Sequence, residues 1–314
     1  MITHPRRTVL AVPGSSDRFI TKSRGLEVDA VFLDLEDAVA PPAKQEARRR
    51  VVAALTSGQG WRAGLVTVRV NDWTTPWTVA DLSEVIAGAG AHLDAVVVPK
   101  VTGPEQVVAT DLVLTQLEQL HGLQPGRIGL EVQIEEARGA LAVAAIAQAS
   151  PRLQSLVFGP GDFMASIGMA TLQVGAQPAG YPADAYHHIH MTILLAARAH
   201  GLQAIDGPYV AIRDQEGFRE AATRAAALGF DGKWVLHPDQ VRAGNEIFTP
   251  SEAVLERARR IVTAYRQATS QAGGAVGAIV VDDEMVDEAG VKLAQAQLAR
   301  AGQPLDLPEA CGDL

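Results

Sequence analysis

Glu135 and Asp162 stand in surroundings that suit a hard cation. Glu135 lies in Val132-Gln133-Ile134-Glu135-Glu136-Ala137-Arg138-Gly139, and Asp162 lies in Phe158-Gly159-Pro160-Gly161-Asp162. Each follows a short apolar run, and neither has a cysteine or a nearby histidine to add a soft ligand. Carboxylate oxygens alone suit Mg2+, with Mn2+ as a substitute, because such an ion keeps positions open for water or substrate oxygens. An acid after a strand also serves as the N-cap of the next helix. The Gly-Pro-Gly before Asp162 shapes the backbone for close approach, which favours the metal.

Arg69 ends the run Val66-Thr67-Val68-Arg69-Val70-Asn71. A guanidinium there either forks onto a substrate carboxylate and polarises a neighbouring carbonyl, or pairs with Glu36 or Asp37; the residues alone leave both open. Asp34-Leu35-Glu36-Asp37 puts three acids at one strand end. Strand alternation sends Asp34 and Glu36 to one side and Asp37 elsewhere. Glu36 is then placed either to hold a metal's water and orient Arg69, or to satisfy backbone groups. Pro13, Arg18, Lys44 and Lys100 are the candidate contacts to an anionic substrate or coenzyme, although a lone loop lysine is ordinarily solvated. His187, His188 and His190 read as ordinary helix residues rather than a zinc site, since no carboxylate has the spacing to join them.

Stepwise repetition supplies the elements that position these groups. Apolar, β-branched runs recur at Thr8 to Val12, Ala30 to Leu35, Leu65 to Val70, Ala95 to Val98, Ile128 to Gln133, Ser155 to Phe158, Gln203 to Ile205 and Lys233 to Leu236, each followed by a helical stretch. Such repeated units predict an α/β fold, a (β/α)8 TIM barrel, with a doubly wound open sheet as the alternative. The barrel is favoured because nearly every run ends in polar residues: Pro13-Gly14-Ser15, Asp34/Glu36/Asp37, Arg69/Asn71, Lys100, Glu135/Glu136, Asp162, Asp206 and His237. In a barrel those ends converge on one face. A helix from Ser251, its N-cap, to about Ala268 closes residues 1–270. The glycine-rich Gln271 to Gly277 reads as a hinge into residues 271–314. There a strand-like run, Ala278 to Val281, an acidic turn and a helix from Glu288 to Arg300 form a lid, too small for a core of its own and expected to pack on the barrel or on another subunit.

The chain has 314 residues, 47% hydrophobic, which is enough for a large aliphatic core. A net charge of −9 argues against nucleic acid as a partner, though local arginines and lysines still suit an anionic cofactor such as coenzyme A. Cys311 is the only cysteine, which excludes an intrachain disulfide and a multi-cysteine zinc site and suits the cytoplasm. No run approaches the roughly 20 apolar residues of a membrane span.

Taken in order, several segments resemble the citrate lyase β-subunit-like enzymes, in particular their malyl-CoA and citramalyl-CoA lyase branch. They are Leu10-Ala11-Val12-Pro13-Gly14-Ser15, Leu33-Asp34-Leu35-Glu36-Asp37-Ala38-Val39, Val68-Arg69-Val70-Asn71, Val98-Pro99-Lys100, Ile134-Glu135-Glu136-Ala137-Arg138-Gly139 and Phe158-Gly159-Pro160-Gly161-Asp162. Ala204-Ile205-Asp206-Gly207-Pro208-Tyr209, Gly229-Phe230-Asp231-Gly232-Lys233-Trp234 and Leu236-His237-Pro238-Asp239-Gln240 carry the malyl-CoA lyase flavour. The resemblance implies Mg2+ on Glu135 and Asp162, Arg69 on a 2-keto acid, and a homo-oligomer, trimer or hexamer. It also maps a catalytic carboxylate, contributed across a subunit boundary, onto Asp287, which from its sequence alone reads as an N-cap. The implied reaction is reversible cleavage of a 3-hydroxyacyl-CoA into acetyl-CoA and glyoxylate or pyruvate. A malyl-CoA thioesterase, a CoA-independent keto-acid aldolase and a non-catalytic binding subunit are the competing readings. Glu136 where a Thr is common, and Val210-Ala211-Ile212-Arg213 in place of the usual loop, bear on which substrates are used rather than on the reaction class.

Overall fold

The computed structural model describes residues 4–271 and 276–303. Eight parallel strands form its centre: β1 Thr8–Pro13, β2 Ala30–Asp34, β3 Leu65–Arg69, β4 Ala95–Val98, β5 Gly129–Ile134, β6 Leu153–Phe158, β7 Gln203–Asp206 and β8 Gly232–Val235. Each pairs with the next, and β1 also pairs with β8, from Thr8 opposite Lys233 to Leu10 opposite Val235. The sheet is therefore closed, and the open-sheet alternative falls. All eight runs read from the sequence are strands, with ends that coincide or differ by one or two residues.

Both faces of these strands are covered, which is why the runs are nearly continuously apolar rather than alternating. Val9, Ala30, Phe32, Leu65, Val97, Val157, Ile205 and Trp234 point inward and fill the barrel. Phe32 and Trp234 stack with ring centroids 4.2 Å apart. The intervening residues, such as Val31, Leu33, Val66, Val68, Leu130, Val132 and Ile134, point outward into the layer packed against the helices. The inward column of β5 is different: Glu131, Gln133 and then Glu135 are all buried polar residues. Glu131 pairs with Arg6 at 3.0 Å near the strand starts, leaving Gln133 and Glu135 toward the opposite end.

A second unit, Thr249–Leu314, contains the helix Glu252–Gln271, an antiparallel hairpin of β9 Ala278–Val281 and β10 Glu284–Asp287, and the helix Glu288–Arg300. Its core joins Leu255, Ala258 and Val262 of the first helix to Val281 and Val286 of the hairpin and Val291, Ala294 and Leu298 of the last helix. The sequence reading assigned the first of these helices to the barrel, with a boundary at 270/271. The structure groups it with the C-terminal unit, because that apolar stripe, at helical spacing, is what the hairpin and last helix bury. Asp282 and Asp283 both take left-handed backbone, with φ of 50° and 62°, and make the tight reversal that turns the acidic segment into a hairpin. Most of the glycine-rich stretch and Cys311 lie outside the described residues. Among the described residues, no helix is long and apolar enough to cross a membrane.

Candidate active site at the strand ends

β2 and β3 run in register, so their last residues, Asp34 and Arg69, are neighbours. Asp34 clamps the guanidinium with both oxygens: Nε donates to Oδ1 and Nη2 to Oδ2, each at 2.7 Å. The arginine lies over the Phe32 and Trp234 rings, 5.5 Å from each centroid. Burial alone would disfavour its charge, but Asp34 beside it raises the guanidinium pKa above its ordinary value. Asp34 is held below the usual carboxylate range: burial opposes this, and Arg69 and the N–H groups of Glu36 and Ala38 outweigh it.

With the Nε/Nη2 edge taken by Asp34, the remaining Nη1 faces the middle of the site. It lies 2.9 Å from Glu36 Oε2, an ion pair without hydrogen-bond geometry, and donates to Gln133 Oε1 at 3.3 Å. Glu36 Oε1 accepts from Lys100 Nζ at 2.6 Å, and that ammonium also lies 3.3 Å from Asp37 and 3.7 Å from Asp162. Lys100 has φ of 50°, uncommon for a residue with a side chain, and its backbone N–H donates to Glu135 Oε1 at 2.7 Å. Burial opposes the lysine's charge, yet Glu36 holds its pKa above the ordinary value.

Glu135 is the group under most electrostatic pressure. Burial, then the neighbouring Glu36 carboxylate, push it up to about 8, with Arg69 acting in the opposite direction. Glu36 is raised too, chiefly by burial. Gly159 opens the turn from β6 into the helix Pro160–Ser166, whose first turn carries Asp162. A Cβ at Gly159 would collide with the Glu135 carboxylate, so only glycine lets the two strand ends close up. Asp34, Glu36, Asp37, Glu135 and Asp162 thus face Arg69 and Lys100, with the Lys44 ammonium behind the Glu36 backbone also acting on Asp34, Glu36 and Asp37: five carboxylates against three cations, buried at Asp34, Glu36 and Glu135 and opening to solvent at Asp37 and Asp162.

That excess, supplied entirely by oxygen donors, fits a divalent hard cation. Among the described residues no group of three or more His, Cys, Asp or Glu is arranged to hold a metal ion by itself. Two carboxylates, Glu135 and Asp162, match the sparse protein ligation typical of Mg2+, which keeps waters or substrate oxygens in its remaining positions.

The other sequence candidates fall in different places. Pro13 ends β1 opposite Asp34. Arg18 is exposed on the helix Asp17–Ser23, over the Phe19 ring. Lys44 is buried, and its ammonium donates to Leu35 O, Glu36 O and Asn71 Oδ1 at 2.8, 2.7 and 2.6 Å. Those three bonds use all its hydrogens, so it braces the backbone of Glu36 instead of presenting a free donor. Asp287 belongs to the C-terminal unit and caps the helix Glu288–Arg300, accepting from Gly290 N at 3.1 Å. His237 caps the helix Pro238–Ile247.

Asp206 points outward behind β7, not into the barrel mouth. Lys233 Nζ donates to Asp206 Oδ2 at 2.5 Å and to Gly207 O at 2.6 Å, and His190 Nε2 lies 3.2 Å from Asp206 Oδ1. Burial would raise this carboxyl, but Lys233 and His190 hold it far below the ordinary range. His190 packs edge-on against Phe158 and Phe230, both at 5.0 Å, as a core histidine of the helix His187–Ala199.

Gln133 was not singled out from the sequence. Its signal was a polar residue two positions before Glu135, and so on the same strand face, in an otherwise apolar run.

A family model for HpcH/HpaI aldolase/citrate lyase matches residues 7–238. The L-malyl-CoA/beta-methylmalyl-CoA lyase of Rhodobacter capsulatus is 38% identical over 305 residues, covering 94% of this chain and 95% of the relative. The (3S)-malyl-CoA thioesterase of Cereibacter sphaeroides, strain KD131, is 39% identical over 305 residues, covering 95% of each. Among solved structures, protein CitE from Mycobacterium tuberculosis in complex with magnesium, acetoacetate and coenzyme A is 31% identical with a TM-score of 0.73. That alignment covers 96% of this chain and 99% of the other.

Proposed function

Since the chain belongs to the HpcH/HpaI aldolase/citrate lyase family, we propose that it is a Mg2+-dependent carbon–carbon lyase acting on a 3-hydroxyacyl-CoA such as malyl-CoA or citramalyl-CoA. The products are acetyl-CoA and a 2-keto acid, glyoxylate or pyruvate, and the reaction runs in either direction. The observation that carries this reading is the buried Glu135 carboxyl, pushed up to about 8 beside a clamped, permanently charged Arg69. Glu135 and Asp162 would hold Mg2+, which would supply a Lewis acid for the substrate's hydroxyl oxygen as its proton leaves; when the carbon–carbon bond breaks, that oxygen becomes the keto acid's carbonyl and the electron pair passes to the thioester, so the proton lost by the hydroxyl balances the one the enolate gains.

Arg69 contributes a fixed positive charge at the same place. Asp34 holds Nε and Nη2, so the guanidinium itself need not turn when a keto-acid carboxylate takes the position at Nη1 that Glu36 Oε2 now holds at 2.9 Å. Glu36 and Lys100 set the depth of that pocket, while Pro13 and Arg18 serve the coenzyme's side of the site; Lys44 acts through the backbone it braces. The departing thioester enolate must gain a proton. Asp287 of a neighbouring subunit is assigned that transfer, with the C-terminal unit that carries it closing as a lid to exclude water. This requires a homo-oligomer, trimer or hexamer, and the chain is read as cytoplasmic.

A thioesterase directing water at the same malyl-CoA is the second reading, favoured by the equally similar thioesterase relative. Incubating malyl-CoA with enzyme and Mg2+, with an EDTA control, separates the two. Acetyl-CoA plus glyoxylate, lost with EDTA, is the expected result. Malate plus free CoA overturns the lyase in favour of the hydrolase. No turnover of malyl-CoA or citramalyl-CoA, together with no shift of the melting temperature by CoA, points to a CoA-independent aldolase.

A further inference from the structure

We propose that Gln133 is a positioning residue that ties the metal-binding carboxylate to the substrate-binding arginine. The inference rests on the reading of Glu135 as a metal ligand. Gln133 is 1% exposed, and its amide is used at both ends: Oε1 accepts from Arg69 Nη1 at 3.3 Å, and Nε2 donates to Glu135 Oε2 at 2.8 Å. Arg69 has no acceptor and an ionised Glu135 has no donor, so only one orientation of the amide satisfies both neighbours. That orientation is fixed by chemistry.

Glu135 therefore receives one hydrogen bond on each oxygen, from Lys100 N and from Gln133 Nε2. Each oxygen keeps a further lone pair for a cation, and the plane of the carboxylate is set by two donors, one on β5 and one just after the end of β4. Oriented ligands of this kind bind metals more tightly because the orienting entropy is spent in folding. The same amide fixes Nη1 of Arg69, the guanidinium nitrogen that Asp34 leaves free, relative to the Glu135 carboxylate. No other common side chain of this size does both: glutamate would add another carboxylate beside Glu135, methionine has neither group, and asparagine is one methylene too short to span the two partners. Three other inward polar groups of the barrel, Thr67 Oγ1, Ser155 Oγ and Trp234 Nε1, are buried without hydrogen-bond partners and so touch neither Glu135 nor Arg69 in any hydrogen bond. They serve as controls for a general disturbance of the barrel interior.

The test is a Mn2+ titration followed by electron paramagnetic resonance on the full chain, comparing wild type with Gln133→Met, Gln133→Asn and the control Ser155→Ala. Mn2+ affinity is expected to fall roughly 10- to 100-fold in both Gln133 variants and to stay within about twofold in Ser155→Ala. The KM for the keto acid should rise with it in the condensation direction. Should Gln133→Met fail to fold, Gln133→Asn carries the comparison alone. Unchanged Mn2+ affinity in a folded Gln133 variant overturns the inference and leaves the proposed function standing. An equal loss in Ser155→Ala also overturns it, by showing a general packing effect. No Mn2+ binding by the wild-type chain overturns the metal reading and this inference with it.

Discussion

At the ends of β2 to β6, five carboxylates face Arg69 and Lys100; behind β7 and β8, Asp206 meets Lys233 and His190 with its charge answered. Glu135 and Asp206 are both buried, and both are acids that the sequence placed at a strand end. Their electrostatics run in opposite directions: Glu135 is pushed up to about 8, whereas Asp206 is held far below the ordinary range. A cluster whose charges are matched internally stabilises the fold. One left with surplus negative charge is poised for something that folding does not supply, a cation and a substrate.

The largest effect expected from this contrast is on turnover. Glu135→Gln should reduce kcat by about a thousandfold or more, since a lost Lewis acid is worth several kcal/mol and 1.36 kcal/mol is tenfold. In EDTA the same variant should unfold at an equal or higher urea concentration than wild type, because a neutral amide removes a buried carboxylate crowded by Glu36. A marked drop in its urea midpoint would place Glu135 with the structural charges and break the comparison.

Asp206→Asn should do the reverse. It leaves the Lys233 ammonium buried without its counter-charge, a loss of about 3–5 kcal/mol of stability, read from urea unfolding. The pH dependence follows the same carboxyl. Its folded pKa lies below its unfolded value of about 3.9, so its contribution is present above that pH and is lost as the pH falls below it. The wild-type urea midpoint should therefore decline from pH 5 to pH 3, and Asp206→Asn should show a flatter profile. Parallel profiles would mean that Asp206 is not a stabilising charge.

The smallest effect is expected at Arg18, exposed and outside both clusters. Arg18→Ala should raise the KM for the acyl-CoA roughly fivefold, the worth of about 1 kcal/mol for an exposed charge contact, with stability changed by no more than about 0.5 kcal/mol. No change in KM would remove it from the coenzyme's side of the site.

The barrel was legible because strands buried on both faces must be apolar throughout, and eight such runs at helix-sized spacing have few other solutions. Glu36, Arg69, Glu135 and Asp162 were legible as charges that interrupt or end those runs. The sense in which Asp206 points was not, because β7 has four residues and a shift of one exchanges the barrel interior for the helix layer. Lys44 looked like a free cation since its partners are two carbonyls and an amide, groups that leave no charge signature. β10 escaped notice because Glu284 and Asp287 are acidic at both ends, and its pairing with β9 depends on two aspartates in left-handed backbone.

The grouping of the helix Glu252–Gln271 with the hairpin and last helix decides where this chain tolerates recombination. A crossover with a relative at residue 270 would part Leu255, Ala258 and Val262 from the side chains they evolved against, while one between Phe248 and Thr249 would carry that packing across intact. The C-terminal unit is thus inherited most safely as a block, and its helix should vary in step with the hairpin rather than with the barrel.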